Sequence, residues 1–262
     1  MSLVALRDFA FDNLNRARRV LGRSIFEGIA PFSADPAKRQ ELAAESSSEL
    51  ASLFYEHQGR VVRKWTHYLD LYDAHFRRFQ GKPVKMLELG VSFGGSLELW
   101  RKFFGTEATI YGIDVDPECA QRVDPPNHVR IGSQADPAFL ASVIDEMGEP
   151  DIILDDGSHI AEHQLASFRL LFPRLKAGGV YVIEDLHTAY WPGVHKGGHS
   201  RRGTAIDLTK TLIDDMHAWY HDAPTATPAK TDVAGIHVHD SIVFIHKAPR
   251  ARPAHIAIPC PE

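Results

Sequence analysis

Asp151-Ile152-Ile153-Leu154-Asp155-Asp156-Gly157-Ser158-His159 decides how the chain is read, together with its echo Tyr181-Val182-Ile183-Glu184-Asp185. Each is an apolar run of strand length that stops on two adjacent carboxylates. A strand buried on both faces, with its end at a polar edge, has this pattern. If the two strands lie parallel and close, their carboxylates and the imidazole of His159 gather at one edge. Like charges so placed repel unless a cation sits among them, so the pair of strand ends predicts a divalent metal with a base beside it.

Similar runs recur upstream. Met86–Leu89 leads into Gly90-Val91-Ser92-Phe93-Gly94-Gly95 and a helix predicted over 96–104. Ile110–Asp114 ends in a carboxylate, and 129–132 runs into Ser133-Gln134-Ala135-Asp136. Helices are predicted over 137–147 and 162–175, the second stopped by Gly178-Gly179. Strands alternating with such helices imply βαβ units and an α/β fold, a doubly wound, mostly parallel sheet of Rossmann-like type. Right-handed crossovers then align the strand C-termini along one edge, where ligands bind. A helix over 205–220 and a C-terminal antiparallel hairpin, 235–239 with 242–246, complete the sheet.

Before the first strand the periodicity is helical only, over 3–21, 36–57 and 61–79. The first of these sets Leu3, Leu6, Phe9 and Leu14 against Arg16, Arg18 and Arg19. It reads as an amphipathic helix packed on the domain or a second subunit, in preference to one lying on a membrane. The expected organisation is a helical N-terminal extension over 1–82, serving as lid or oligomer contact, a catalytic domain over 83–248 and an extended tail over 249–262.

Composition narrows the class. A 44% hydrophobic and 24% charged chain of 262 residues is an ordinary globular one with a well-buried core. Its net charge of −5 argues against a nucleic-acid surface, and no run approaches a membrane span. Charges inside the N-terminal apolar pattern argue against a signal peptide. Two cysteines are too few for a disulfide framework or a thiolate metal site. We expect a cytoplasmic protein.

The cofactor side begins at Glu88-x-Gly90-x-x-x-Gly94, followed by Ser96 at the helix start. Glycines let the backbone approach a ligand, and the helix N-terminus behind them is partially positive. The spacing departs from the dinucleotide pattern, and Glu88 would repel a pyrophosphate and welcome a cationic amino acid. That favours S-adenosylmethionine over NAD, although a plain tight turn explains the glycines about as well. Asp114 is placed to meet ribose hydroxyls, with a turn or helix cap as an even alternative. Ser133, Gln134 and Asp136 can read an adenine edge, and Asp155 would flank the same crevice.

Oxygen donors without thiolate suit Mg²⁺ first and Mn²⁺ second, held by Asp156, Glu184 and Asp185. The alternative is that one or two of these acids cap helices or pair with arginines. His159, three residues past Asp156, can return its ring toward a ligand of the metal. A hydroxyl is too weakly acidic to ionise unaided, metal coordination lowers its pKa, and an imidazole can take the proton. His159 is thus the best single catalytic candidate, and His163, one turn on, is expected to be dispensable. Thr188, Tyr190 and Trp191 are expected to wall an acceptor pocket, with His67 and Tyr68 as weaker covering candidates.

The run from Lys85 to Trp191 resembles a class I S-adenosylmethionine-dependent methyltransferase. Leu87–Ser96, Leu154–His159 and Glu184–Trp191 are similar to motifs of the metal-dependent, mycinamicin-type sugar O-methyltransferases. The resemblance implies a methyl transfer to a sugar hydroxyl, with the residues at Asp156, Glu184 and Asp185 binding the metal. Residues 1–82 stand where that type carries a large auxiliary domain, so a saccharide such as a methylated mannose polysaccharide of mycobacteria is expected at least as much as a macrolide. A homo-oligomer is also expected. A catechol-type O-methyltransferase and a noncatalytic S-adenosylmethionine-binding protein remain the alternatives.

Overall fold

The computed structural model describes residues 35–258; the helix expected over 3–21 lies outside them. Seven strands form one sheet in the order β3-β2-β1-β4-β5-β7-β6. They are β1 Lys85–Leu89, β2 Thr109–Asp114, β3 His128–Ile131, β4 Ile152–Asp155, β5 Val180–Ile183, β6 Val233–His239 and β7 Ile242–Lys247. The first five run parallel, while β7 is antiparallel to β5 and to β6. This is the doubly wound sheet and closing hairpin that the sequence predicts.

The helices are α1 Pro36–Glu45, α2 Glu49–Tyr55, α3 Thr66–Phe76, α4 Gly95–Phe104, α5 Pro137–Met147, α6 Ala161–Leu171, α7 Ala205–Met216 and α8 Ala229–Asp232. Strand residues alternate between two cores. Leu87, Leu89, Ile153, Tyr181, Ile183 and Val243 pack with Leu140, Phe168 and Leu212 of α5, α6 and α7. Met86, Ile110, Leu154, Val182 and Phe244 pack with Leu50, Tyr68, Tyr72, Phe76 and Trp100 of α2, α3 and α4. Residues 50–76 thus bury their apolar side directly on the sheet.

Register levels the strand ends. Leu89 lies opposite Asp155, and Asp155 opposite Ile183. Because β1 is flanked by β2 and β4, the crossovers part at its C-terminal end, the place where open α/β sheets form a crevice. Gly90, at φ +99°, turns the chain there. A Cβ on it would lie 2.2 Å from the Asp156 carbonyl oxygen, so no larger residue fits the approach of the β1 and β4 loops.

Boundaries differ where local hydrogen bonds outweigh periodicity. The helix expected over 36–57 breaks at 46–48, because the Ser48 hydroxyl accepts from Ala51 N (3.2 Å) and caps a new helix, α2. The helix expected from Val61 begins only at Thr66. Residues 60–61 cross the glycine turn instead, where a Cβ on Gly95 would meet the Arg60 and Val61 carbonyl oxygens at 2.3 and 2.4 Å. The loop expected before the hairpin contains α8.

Candidate active site at the carboxylate edge

Strand alternation, carried one residue past the end of β4, sends Asp155 and Asp156 to opposite faces. Asp155 is fully buried. It accepts from Gln134 Nε2 (3.0 Å) and Ser167 Oγ (2.7 Å), and burial raises its pKa. The expectation that Asp155 flanks the cofactor crevice therefore differs from the structure, in which its oxygens tie β4 to α6. Asp156 turns the other way and is partly open, with Oδ2 2.5 Å from Lys64 Nζ.

The end of β5 repeats the division. Glu184 is buried, and its Oε1 also lies 2.5 Å from Lys64 Nζ. Lys64 is 1% exposed in its side chain and stands 3.7 Å from Glu88 as well. Burial alone would lower its pKa, but Asp156, Glu184 and Glu88 outweigh that and hold it raised. Burial, then Asp156, raises the Glu184 carboxyl well above its usual range against the pull of Lys64. Sequence periodicity placed Lys64 in the helix expected over 61–79 and gave it no mark, whereas it lies in the segment just before Thr66; only the uncompensated acids signalled that a cation was needed.

Asp185 adopts a left-handed backbone, φ 55° and ψ 41°. Its Oδ1 lies 3.0 Å from both Trp65 Nε1 and the Tyr68 hydroxyl. That hydroxyl is also 2.9 Å from the Ser241 carbonyl oxygen and accepts from Asp185 N at 3.3 Å. Tyr68 is fully buried, so it locks Asp185 and does not cover an open pocket as expected. The other oxygen of Asp185, Oδ2, faces His159.

His159, also left-handed at φ 54°, directs Nε2 to 3.6 Å from Asp185 Oδ2 and 3.8 Å from Asp156 Oδ1. Its Nδ1 is buried without a hydrogen-bond partner. The His159 carbonyl accepts from Thr188 Oγ1 (3.5 Å) and lies 3.2 Å from His195 Nδ1. Thr188 is buried and donates at 2.7 Å to the Asp185 carbonyl, so it braces the turn and does not wall a pocket as expected. Trp191 packs edge-on against His187 and His195 at centroid distances of 4.8 and 5.4 Å. Tyr190 is 48% exposed and lines a separate surface depression with His199 and Arg201. His67 is exposed near the Asp240 carbonyl oxygen (3.1 Å).

On the nucleotide side, Asp114 Oδ2 accepts from Val91 N (2.9 Å) and Ser92 N (3.0 Å), holding the glycine turn open-handed toward the edge. Glu88 faces inward, accepting from Ser96 Oγ (2.8 Å), and burial lifts its carboxyl to about 7 against Lys64. Gln134 bridges the β3 and β4 loops, accepting from Ser158 N at 2.7 Å. Ser133 accepts from Ala135 N (3.1 Å). Asp136 caps α5 by accepting from Ala138 N and Phe139 N.

Among the described residues, one donor atom each of Asp156, His159 and Asp185 falls within 4.8 Å of the others. Two carboxylates turned to one imidazole, with a third and fourth acid neutralised only by a buried ammonium, suit a hard divalent cation. Glu184, the third acid of the expected ligand set, is paired with Lys64 as Asp156 is.

Residues 87–186 match the methyltransferase-domain family. The chain is 38% identical over 217 residues to 8-demethyl-8-(2-methoxy-alpha-L-rhamnosyl)-tetracenomycin-C 3'-O-methyltransferase of Streptomyces olivaceus, covering 78% of this chain and 55% of that protein. It is 37% identical over 218 residues to mycinamicin VI 2''-O-methyltransferase of Micromonospora griseorubida, covering 76% and 52%. The solved structure of MycE methyltransferase from the mycinamycin biosynthetic pathway, in complex with Mg, SAH and mycinamycin VI, superposes with a TM-score of 0.67 at 34% identity, covering 77% of this chain and 53% of that one. The chain thus spans about half the length of these relatives. It belongs to the class I S-adenosylmethionine-dependent methyltransferases and resembles, among them, the mycinamicin-type sugar O-methyltransferases.

Proposed function

We propose that the protein transfers a methyl group from S-adenosylmethionine to a sugar hydroxyl, on a saccharide or a glycosylated natural product, with Mg²⁺ or Mn²⁺ at the carboxylate edge. The observation that carries this reading is the convergence of Asp156, His159 and Asp185 beside the glycine turn. The names of the similar proteins, which methylate sugar-bearing molecules, support the acceptor class.

Asp156 and Asp185 would hold the ion, and Glu184 would join them if Lys64 withdrew. The ion would supply acidity to the acceptor hydroxyl. His159 Nε2 then accepts the hydroxyl proton as the oxygen attacks the methyl carbon. The carbon–sulfur bond breaks and its electron pair stays on sulfur. Asp156 and Asp185 stabilise the imidazolium so formed, at 3.8 and 3.6 Å. The turn Gly90–Ser96, Asp114, Ser133 and Gln134 border the methyl-donor side, and Trp191 with His187 and His195 offers an aromatic wall suited to sugar C–H faces. Charge balance, cysteine count and the resemblance support a cytoplasmic homo-oligomer.

A labelled methyl donor offered with a saccharide and glycoside panel, beside a catechol panel, tests the reading. Transfer to a sugar that stops in EDTA and returns with Mg²⁺ is expected. Transfer confined to catechols, or full turnover in chelator, overturns it. The closeness of all three donor atoms also favours a reading of His159 as a third ligand, which would make metal affinity depend on that ring.

A further inference from the structure

Away from the carboxylate edge, three imidazoles from three elements meet. His75 lies on α3, His237 on β6 and His246 on β7. The Nδ1 of His75 is 3.0 Å from Nε2 of His246, and one nitrogen of each of the three lies within 4.8 Å of the other two. Two imidazoles on one tetrahedral ion, with metal–nitrogen distances of ~2.0–2.1 Å, place their nitrogens about 3.3 Å apart. His75 and His246 are near that spacing already.

The rings are held from below and open from above. His75 stacks on Phe244 at 4.0 Å between centroids, 16° from parallel. His237 is exposed, 4.7 Å from the His75 ring and 5.1 Å from the His246 ring, and leaves an entry path. The His239 ring, 6.3 Å from His75, or a water can complete a tetrahedron. Among the described residues, a positive charge does stand in contact: Arg78 Nη2 is 3.5 Å from His246 Nδ1. Coordination through Nε2 puts that ring's proton on Nδ1, and the Arg78 side chain has to swing aside.

We propose that His75, His237 and His246 form an imidazole-only site for a divalent transition metal of the zinc class, which pins α3 to the β6–β7 hairpin. Imidazole nitrogen donors suit a borderline-soft ion and not Mg²⁺. The site is separate from the carboxylate edge. His246 pairs with Val180 at the opposite end of β5 from Asp185, and His75 follows Tyr68 by seven residues, roughly 10 Å along the helix.

Untagged full-length protein, stripped of metal, is titrated with Co²⁺ and its visible ligand-field bands are followed. One equivalent is expected to give intense tetrahedral bands, displaced by Zn²⁺. They should persist in the D156N/D185N double variant, which disables the other candidate site. His237→Ala, at an exposed ring, should weaken binding at least as much as the ~10–100-fold that loss of an outer-sphere partner costs, with the circular dichroism spectrum unchanged. Absence of bands, bands indifferent to His237→Ala, or bands lost in D156N/D185N would overturn the assignment.

Discussion

Replacing Lys64 by methionine removes the ammonium that Asp156, Glu184 and Glu88 share. The side chain is 1% exposed, and its nitrogen touches two carboxylates at 2.5 Å. Removing one partner of such a buried pair costs ~3–5 kcal/mol, because the charge left behind is uncompensated. Methionine keeps most of the volume, so packing adds little, and protonation of Glu184 caps the loss. At about 2–4 °C per kcal/mol for a chain of this size, Tm in EDTA should fall by roughly 6–20 °C. Lys64 also competes with a divalent ion for Asp156 and Glu184. Mg²⁺ should therefore raise the Tm of Lys64→Met by more than that of the wild type, read by calorimetry in EDTA and in Mg²⁺. Equal stability in EDTA, or equal gains from Mg²⁺, would refute the view that ammonium and metal serve the same carboxylates.

His159→Ala should lower turnover by roughly 10²–10⁴-fold with methyl-donor and Mg²⁺ affinity retained; loss of Mg²⁺ binding by calorimetry would make the ring a ligand and not the base. Glu88→Gln tests the buried acid. Its carboxyl is raised from 4.5 to about 7, so the stability it contributes is full below 4.5 and is lost as pH rises through 7. The Gln variant should flatten the Tm profile across that window, and parallel profiles would contradict the assignment. Asp136→Ala should destabilise by about 1 kcal/mol through the lost helix cap, with donor affinity unchanged; a drop in affinity would return Asp136 to the nucleotide side.

The sheet was legible because β4 and β5 are unbroken apolar runs closed by acidic residues and because strands alternate with helices along the chain. Helix α5 was legible to the residue, since Asp136 and Pro137 open it and Gly148 closes it. The convergence of Asp156, Asp185 and His159 followed from parallel strand ends. Which way each neighbouring acid points did not follow. Alternation separates Asp155 from Asp156, but only the tertiary fold decides that Ser167 and Gln134 wait on one side and Lys64 on the other. Tyr68 read as a candidate to cover the pocket, but its hydroxyl meets a carboxylate 117 residues away, beyond any local pattern.

Asp185 shows how backbone and chemistry are joined at this edge. A left-handed residue with a side chain costs roughly 1–2 kcal/mol, least for Asn and Asp. The conformation is held because Tyr68 accepts from its N–H and the Thr188 hydroxyl donates to its carbonyl. Asp185→Gly relieves the backbone but removes the carboxylate that accepts from Trp65 Nε1 and the Tyr68 hydroxyl, and hydrogen bonds to a charged group contribute about 1.5–3 kcal/mol each, less for Tyr68, which keeps the Ser241 carbonyl. Net destabilisation is expected, by about 1–3 kcal/mol. Asp185→Asn keeps both the left-handed preference and an Oδ1 acceptor, so it should fold with near wild-type stability while losing the charge that faces His159. Chemical denaturation and a Mg²⁺ titration of the two variants separate the roles. If the Asn variant binds Mg²⁺ and turns over as the wild type does, the carboxylate serves only to fix the turn. If it is stable and inactive, the strained backbone exists to aim a charge, and the start of α3, with Trp65 at its cap and Tyr68 in its first turn, is as much a part of the site as the strand that leads to Asp185.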